Sequence, residues 1–422
     1  MMKRSALRAT AVLLSVSLLL LSACAGLPGP GESREVLVGS SRDLMEGITA
    51  APAQGLAPDE TYRLSQLNFA LALARETAVK DKNLLLSPFS VMIALAMTQN
   101  GARGTTLSQM EQVLGSGIPA AQMNRYLYAW ISSLPDSEDA RLQLADSLWI
   151  KESSAASVVP SFLQTNADWY GADAYTAPFD EGTLADINSW VASRTEGMIP
   201  KLMDRLSPDT EMILLNALAF DALWRVPYTD ALVRTRDFRN ASGKTVQAAM
   251  MHSTESSYLE GKGATGFLKY YADARYAFAA VLPDKGVSPA DYLASLTASD
   301  LDRLLSSPVS EPVSAVLPQF SYSYEEQLPE ALQRMGMTQA FSGSADFSGM
   351  LPGAFISDVL HKTFIEVTQA GTRAAAVTAV EMTKGAAPAA QKEVVLDRPF
   401  LYMIVDTEYR LPIVIGIVNE LP

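Results

Sequence analysis

Residues 371–390 combine the periodicity of a half-buried strand with the composition of an exposed loop. Both charges between positions 372 and 382, Arg373 and Glu381, fall on odd positions. The even positions are uncharged and mostly small: Thr372, Ala374, Ala376, Thr378, Val380 and Met382. Strict alternation predicts a strand with one face able to enter a sheet, whereas Gly, Ala and Pro after Lys384 are typical of a protease-sensitive loop tip. The stretch is a candidate conformational switch, with a disordered Ala-rich connector as the alternative.

Length and composition exclude several classes of protein. With 422 residues, 48% of them hydrophobic, the chain can bury a large core as one domain or as two or three. The formal net charge is −13, and without Lys3, Arg4 and Arg8 the chain has 30 basic and 46 acidic residues, a net charge of −16. So acidic a surface repels phosphate backbones, and no nucleic-acid partner is expected. Cys24 is the only cysteine, which excludes internal disulfides and thiolate metal clusters.

Residues 1–23 have the pattern of a secretory signal peptide. A basic start precedes an apolar stretch at 9–21 that is too short to span a bilayer comfortably. The sequence Leu-Ser-Ala-Cys at 21–24 resembles the lipobox of bacterial lipoproteins, which implies cleavage before Cys24 and lipidation of that residue. We expect an exported protein that is anchored by lipid to the bacterial cell membrane or cell surface. A signal peptide with an incidental cysteine is the alternative.

Residues 24–60 are rich in Pro, Gly, Ser and Ala, which predicts a lipidated tether. A flexible coil of this length spans only ~35 Å on average, so the folded body would stay close to the membrane. Packing of residues 35–38 onto the body as a strand is left open.

Patterning typical of a globular fold begins at Asp59. Apolar residues recur at three- and four-residue spacing from Leu64 to Ala78, which predicts an amphipathic helix with Asp59 or Thr61 as its N-cap. Residues 83–97 are predicted to form a short apolar strand that runs through Ser87-Pro88 into a helix apolar nearly all round, as expected in the middle of a large core. Other predicted elements are helices at 185–195 and 328–335, strands at 212–220, 278–283 and 313–320, and a buried hairpin from 400–405 and 413–418. The order of elements predicts an α+β fold.

Catalytic motifs are absent from the sequence, so an enzyme is disfavoured. There are two histidines and no Gly-x-Ser-x-Gly elbow, His-Glu-x-x-His motif or phosphate-binding Gly-rich loop, and no metal or cofactor is expected. His361 lies between alternating apolar residues and is predicted to be a hydrogen-bonded core histidine. His252 is predicted to be a strand-end residue.

Several segments in order resemble the serpin family. They are residues 83–90 (NLLLSPFS) with 101–106 (GARGTT), 216–228 (NALAFDALWRVPY), 335–341 (MGMTQAF) with 345–349 (ADFSG), His361-Lys362, and 397–400 (DRPF). The resemblance covers residues 61–422 and implies a single-domain serpin fold of the α+β class. That fold has a large mixed sheet A, sheets B and C, about nine helices and an exposed reactive-centre loop at about 371–396.

The resemblance implies an irreversible suicide-substrate inhibitor of serine proteases. Such an inhibitor traps the acyl-enzyme by inserting its cleaved loop into sheet A, and its partner is the protease in a covalent complex. The implied hinge is Gly371, Thr372, Arg373, Ala374, Ala375 and Ala376. Its residues suit insertion because Gly371 is flexible and the small side chains bury without clashes. Arg373 and Gln369 each stand where the family usually has Glu. We expect a monomer.

Two further sets of residues match family positions. The implied shutter under sheet A, where strands part to admit the loop, is Ser87, Ser90, Asn216 and His361. An ordinary buried polar cluster is the alternative. Trp224 matches the breach at the top of the sheet, and as a large buried aromatic it needs no further role.

The scissile bond is left open within a few residues. Family spacing from Gly371 implies cleavage near Gly385–Ala386, while Lys384–Gly385 suits a trypsin-like target and is favoured. An elastase-like target, at Gly385, Ala386 or Val380, comes next, and Met382 suits a chymotrypsin-like enzyme, with Thr383 a further candidate. A non-inhibitory serpin, acting as a binding or chaperone-like surface lipoprotein, is the alternative function.

Overall fold

The computed structural model describes residue 37 and residues 39–135, 137, 139–207, 210–372 and 392–421. Three predicted features lie outside the described residues: the signal peptide at 1–23, the lipidation site Cys24, and the loop residues 373–391, which include every candidate scissile bond.

Nine α-helices occur within the described ranges. They are α1 Glu60–Thr77, α2 Pro88–Gln99, α3 Gly104–Gly115, α4 Ala120–Ser133, α5 Pro160–Tyr170, α6 Glu181–Arg194, α7 Pro289–Ser295, α8 Ala298–Ser306 and α9 Pro329–Arg334. The first begins as predicted, because the Asp59 carboxylate accepts the Tyr62 N–H at 2.8 Å as its N-cap. Across the residues described, no helix has both the length and the apolar character needed to cross a bilayer.

The largest sheet, sheet A, has seven described strands of mixed direction. In spatial order they are β1 Arg42–Asp43, β4 Asp173–Ala177, β3 Ala140–Lys151, β5 Met212–Leu223, β14 Gly371–Thr372, β13 Asp358–Val367 and β12 Phe320–Gln327. Long antiparallel pairings join β3 to β5 and β12 to β13, whereas β5 and β13 pair in parallel.

Two further sheets complete the fold, and the predicted three-sheet architecture is confirmed. Sheet B runs β2 Leu84–Leu86, β17 Leu411–Val418, β16 Phe400–Asp406, β10 Tyr276–Pro283, β9 Ala264–Tyr270 and β8 Ser257–Gly261. Sheet C runs β15 Lys392–Val395, β11 Val313–Pro318, β7 Thr245–Glu255 and β6 Val233–Arg239. The predicted C-terminal hairpin is β16 and β17, and all of its strand residues are buried.

Helix α2 lies at the centre of the molecule. Every residue from Pro88 to Gln99 is buried, because strands of sheet A, strand β17 of sheet B and neighbouring helices all pack against the helix. Its N-cap is Ser87, whose side chain accepts the Ser90 N–H at 3.1 Å. This helix therefore holds two of the predicted shutter residues directly beneath sheet A.

The chain from residue 39 onward lies against the folded body. The Gly39 and Ser41 N–H groups donate to the buried Asp186 carboxylate of α6 at 2.6 and 3.1 Å, and Met45 is buried. Strand β1 pairs with β4 at the edge of sheet A. The Pro/Gly/Ser-rich composition that predicts a flexible tether does not reveal these contacts, because the acceptor lies 145 residues further along the chain.

Asp59→Ala tests the cap of α1. The variant removes the acceptor for the Tyr62 N–H, and also for the Tyr126 hydroxyl, which lies 2.5 Å from the carboxylate. A lost N-cap costs about 1 kcal/mol, so we expect the first-turn amides of α1 to exchange with deuterium about fivefold faster. Glu60→Ala keeps the cap and is the control. Equal exchange in the two variants would show that Asp59 does not stabilise the helix.

Candidate functional site

The two described hinge residues lie inside sheet A. Gly371 and Thr372 form β14, which pairs antiparallel with β5 through Leu223 and Ala222, and with β13 through Val367. Further down, β5 and β13 pair directly, from Ile213–Asp358 to Leu218–Thr363 in register. At one end of sheet A, β14 therefore lies between β5 and β13, and beyond that end β5 and β13 pair with each other directly.

Gly371 is required by a close approach. A Cβ atom at this position would lie 2.0 Å from the Ala222 carbonyl oxygen of β5, which no real side chain tolerates. The predicted hinge glycine is therefore also the residue that lets the chain enter between the two strands.

Thr372 is held between β5 and β13 by a buried hydrogen bond. Its hydroxyl lies 2.6 Å from the Tyr271 hydroxyl, and Thr372 is 1% exposed. The Tyr271 ring stacks on Trp224 at 4.5 Å, and the Trp224 indole N–H donates to the Thr368 carbonyl at 2.9 Å. Trp224 lies beside the hinge, as its family position implies. Tyr271 was missed by the sequence analysis because nothing local distinguishes it from a core tyrosine at a strand end.

A buried ion pair lies behind these aromatic rings. The Lys269 ammonium is 3.0 Å from the Glu255 carboxylate, donates to the Val226 carbonyl at 3.1 Å and lies 4.2 Å from the ring centroid of Tyr228. Burial lowers the pKa of Lys269, and the Glu255 charge opposes that shift. The ion pair holds the Lys269 ammonium against the rings of Tyr228 and Trp224, and Trp224 in turn contacts the chain just before the hinge.

The predicted shutter residues meet below this point. His361 on β13 and Asn216 on β5 are direct register partners, and the His361 Nδ1 lies 2.5 Å from the Asn216 side-chain oxygen. The Nε2 atom accepts the Ser87 N–H at 3.1 Å. These partners place the proton on Nδ1, and burial lowers the pKa of His361 to about 3, so the ring is neutral. The prediction of a hydrogen-bonded core histidine is confirmed.

Asp146 joins the same network and was missed. It lies on β3 directly opposite Asn216, and its Oδ1 accepts from the Asn216 amide and from the Ser90 hydroxyl, the latter at 3.5 Å. Burial raises the pKa of Asp146 to about 8. The sequence did carry a signal, because Asp146 interrupts an apolar alternation in β3: Leu142, Leu144, Leu148 and Ile150.

The remaining predicted site residues are either outside the described residues or lie apart from this network. Arg373, Ala374, Ala375 and Ala376 of the hinge, and the candidate scissile residues Met382, Thr383, Lys384, Gly385 and Ala386, lie outside the described residues. Gln369 is described, and its amide donates to Asp230 at 3.1 Å. His252 lies within β7, three residues before its end and opposite Val316, so the strand-end prediction is wrong. The described ranges contain no cluster of His, Cys, Asp or Glu able to hold a metal ion.

The geometry defines a class of protein whose main sheet holds the two-residue strand β14 between one end of β5 and one end of β13. Residues 64–421 match the family described as Serpin (serine protease inhibitor), and the chain belongs to the serpin family. It is 33% identical over 355 residues to an uncharacterised serpin-like protein of Thermococcus kodakarensis, covering 81% of each chain.

A second curated relative and a solved structure agree with this assignment. The chain is 29% identical over 367 residues to a protein of Rattus norvegicus that is named as a serine protease inhibitor, covering 83% of this chain and 87% of that protein. The structure of tengpin, a thermophilic serpin in its native state, superposes with a TM-score of 0.86 at 40% identity. That match covers 90% of this chain and 100% of tengpin.

A double-mutant cycle tests the bond between Tyr271 and Thr372. Tyr271→Phe or Thr372→Val alone leaves one buried hydroxyl unsatisfied, which costs about 1–3 kcal/mol, whereas removing both is nearly neutral. We expect the amides of residues 368–372 to exchange with deuterium about 5–160 times faster in each single variant, with most of the protection restored in the double variant. Additive effects in the cycle would contradict a direct hydrogen bond.

Proposed function

We propose that this protein is an irreversible suicide-substrate inhibitor of serine proteases. The observation that carries the proposal is the placement of Gly371 and Thr372 between β5 and β13, at the head of the position that an inserted loop would fill. Membership of the serpin family and similarity to proteins named as protease inhibitors support it.

The chemistry begins with the target enzyme. Its serine hydroxyl attacks the scissile carbonyl of the exposed loop, the peptide C–N bond breaks, and the new amino terminus leaves while the carbonyl carbon stays esterified to the enzyme. The loop is then free at that end. It extends β14 down between β5 and β13, carrying the attached enzyme with it and distorting its active site before water can hydrolyse the ester.

The register of Thr372 agrees with the alternation in the loop. Its side chain faces the protein interior, where it meets Tyr271. Because side chains alternate along a strand, the other even positions would follow onto that buried face: Ala374, Ala376, Thr378, Val380 and Met382. Arg373 and Glu381 would then face outward. The loop therefore has no charge on the face that must be buried.

Thr372→Arg tests the insertion step with trypsin as the probe. The variant would bring a charge into a buried position at a cost of several kcal/mol, so insertion becomes slower than hydrolysis of the acyl-enzyme. We expect the yield of covalent complex on denaturing gels to fall more than about tenfold, while cleavage of the loop continues. Thr372→Ala keeps a small uncharged side chain and should still form the complex.

The target class depends on the residue before the scissile bond, and we propose Lys384 with a trypsin-like enzyme. Lys384→Ala should abolish the complex with trypsin, and mass spectrometry of the wild-type complex should show cleavage after Lys384. A complex with elastase instead would move the bond to Gly385 or Ala386. If both enzymes only cut the loop and remain active, the protein is a non-inhibitory serpin.

We also propose that Cys24 is lipidated and anchors the protein to the bacterial cell membrane or surface. The lipobox-like sequence at 21–24 supports this proposal. Cys24→Ser should abolish incorporation of radiolabelled palmitate into the protein in producing cells, because the thiol that would carry the lipid is lost. Ser22→Ala leaves the cysteine intact and is the control. Absence of label from the wild-type protein, or equal labelling of Cys24→Ser and wild type, would exclude the lipid anchor.

A further inference from the structure

Asp146 is a carboxyl group in a network that otherwise consists of an imidazole, an amide and hydroxyl groups. Its Oδ1 accepts from Asn216 and Ser90, while Oδ2 is buried with no hydrogen-bond partner within the described ranges. Asp146 is half-buried as a residue, but its Oδ2 reaches neither water nor a neutralising cation, which favours the protonated acid.

The charged groups around Asp146 do not offset the preference for the protonated acid. On β13, His361 is the titratable group that belongs to the network, and it is neutral and reaches Asp146 through Asn216. From β4, Asp173 faces it with a like charge that raises the pKa of Asp146 further. The cation nearest to Asp173 is Arg194 of α6, which pairs with Asp173 at 2.6 Å. Helix α2 packs against the network with an uncharged sequence.

We propose that Asp146 is a further positioning residue of the shutter, which as a neutral acid holds Asn216 in the closed sheet and on ionising favours separation of β5 from β13. The inference rests on the proposed function, because it describes how the same sheet opens. Entry of a strand between β5 and β13 has to break the contact between His361 and Asn216, since these two residues are register partners across that seam. Asn216 then remains attached to β3 through Asp146.

Proton linkage gives the direction of the effect. The closed sheet keeps the proton on Asp146, whereas opening lets water reach the carboxyl and restores its ordinary acidity, so opening releases one proton. The tendency to open therefore rises with pH, by at most about tenfold per pH unit, and levels off above the pKa of the closed state. His361 acts in the opposite direction, because a neutral buried ring gains a proton on exposure only below about pH 6.5. Between pH 6.5 and 8, a change in the tendency to open therefore reports on Asp146 and not on His361.

The rate at which sheet A accepts a synthetic copy of the loop measures this opening without any protease. We would mix the full-length protein with an acetylated peptide of residues 372–384 and follow the binary complex on native gels between pH 6.5 and 9. The peptide contains no group that titrates between pH 6.5 and 8. For wild type, we expect the rate to rise about fivefold or more from pH 6.5 to 8 and then to level off.

Asp146→Asn keeps the shape and the Oδ1 acceptor but cannot ionise, so its rate should be nearly constant with pH. Asp273→Asn is the matched control: burial raises the pKa of this acid too, yet it lies in the turn between β9 and β10 of sheet B, on neither strand of the seam, and the variant should keep the wild-type profile. A purely structural role of Asp146 would change the rate by the same factor at every pH. A pH profile that is unchanged in Asp146→Asn therefore overturns the inference.

Infrared difference spectra between wild type and Asp146→Asn give a direct reading of the proton. We expect a protonated carboxyl band at pH 6.5 that disappears as the pH rises through 8, and its absence at pH 6.5 would also overturn the inference. The outcomes separate the two proposals. If the peptide enters and the pH profile is unchanged in Asp146→Asn, the role of Asp146 is overturned and the inhibitor function stands. If the peptide enters at no pH and no protease complex forms, the role of Asp146 and the inhibitor function are both overturned.

Discussion

The structure depends on the parallel pairing between β5 and β13. Each strand is firmly joined on its other side, β5 to β3 over eleven register pairs and β13 to β12 over eight, whereas the two strands share only six pairs with each other. Parallel pairing is also slightly weaker per residue than antiparallel pairing. Sheet A thus has two long antiparallel pairs, β3–β5 and β12–β13, with a weaker seam between them, and at this seam a further strand could enter without unfolding either pair.

Polar side chains link the strands on either side of the seam. His361, Asn216 and Asp146 form a line of hydrogen bonds across β13, β5 and β3. Burial disfavours a charge on either end of this line, on His361 at low pH and on Asp146 at high pH. The closed sheet is therefore most stable where both groups are neutral. An apolar seam would hold the halves together at every pH and would resist entry of water.

Much of the fold could be predicted from the sequence, because its periodic segments are long. The helix at α2, the hairpin of β16 and β17 and the core position of His361 follow from local patterns alone. The location of Gly371 and Thr372 inside the sheet could not be predicted in this way, since it involves a contact with Tyr271, which is about a hundred residues away in the chain. Asp146 was overlooked because a single acid in an apolar strand is informative only once its neighbours are known. The contacts of residues 39–45 were missed for the same reason.

The direction of β14 gives a physical reason for the proposed insertion. Strand β14 runs antiparallel to both β5 and β13, so each residue that followed Thr372 into the seam would pair with two strands. Insertion would exchange one parallel pairing for two antiparallel ones and roughly double the number of interstrand hydrogen bonds along the seam, each contributing about 1 kcal/mol. On the proposed mechanism, cutting the loop removes the covalent restraint on this rearrangement, and the pairing already present at Thr372 sets the direction in which the chain would move.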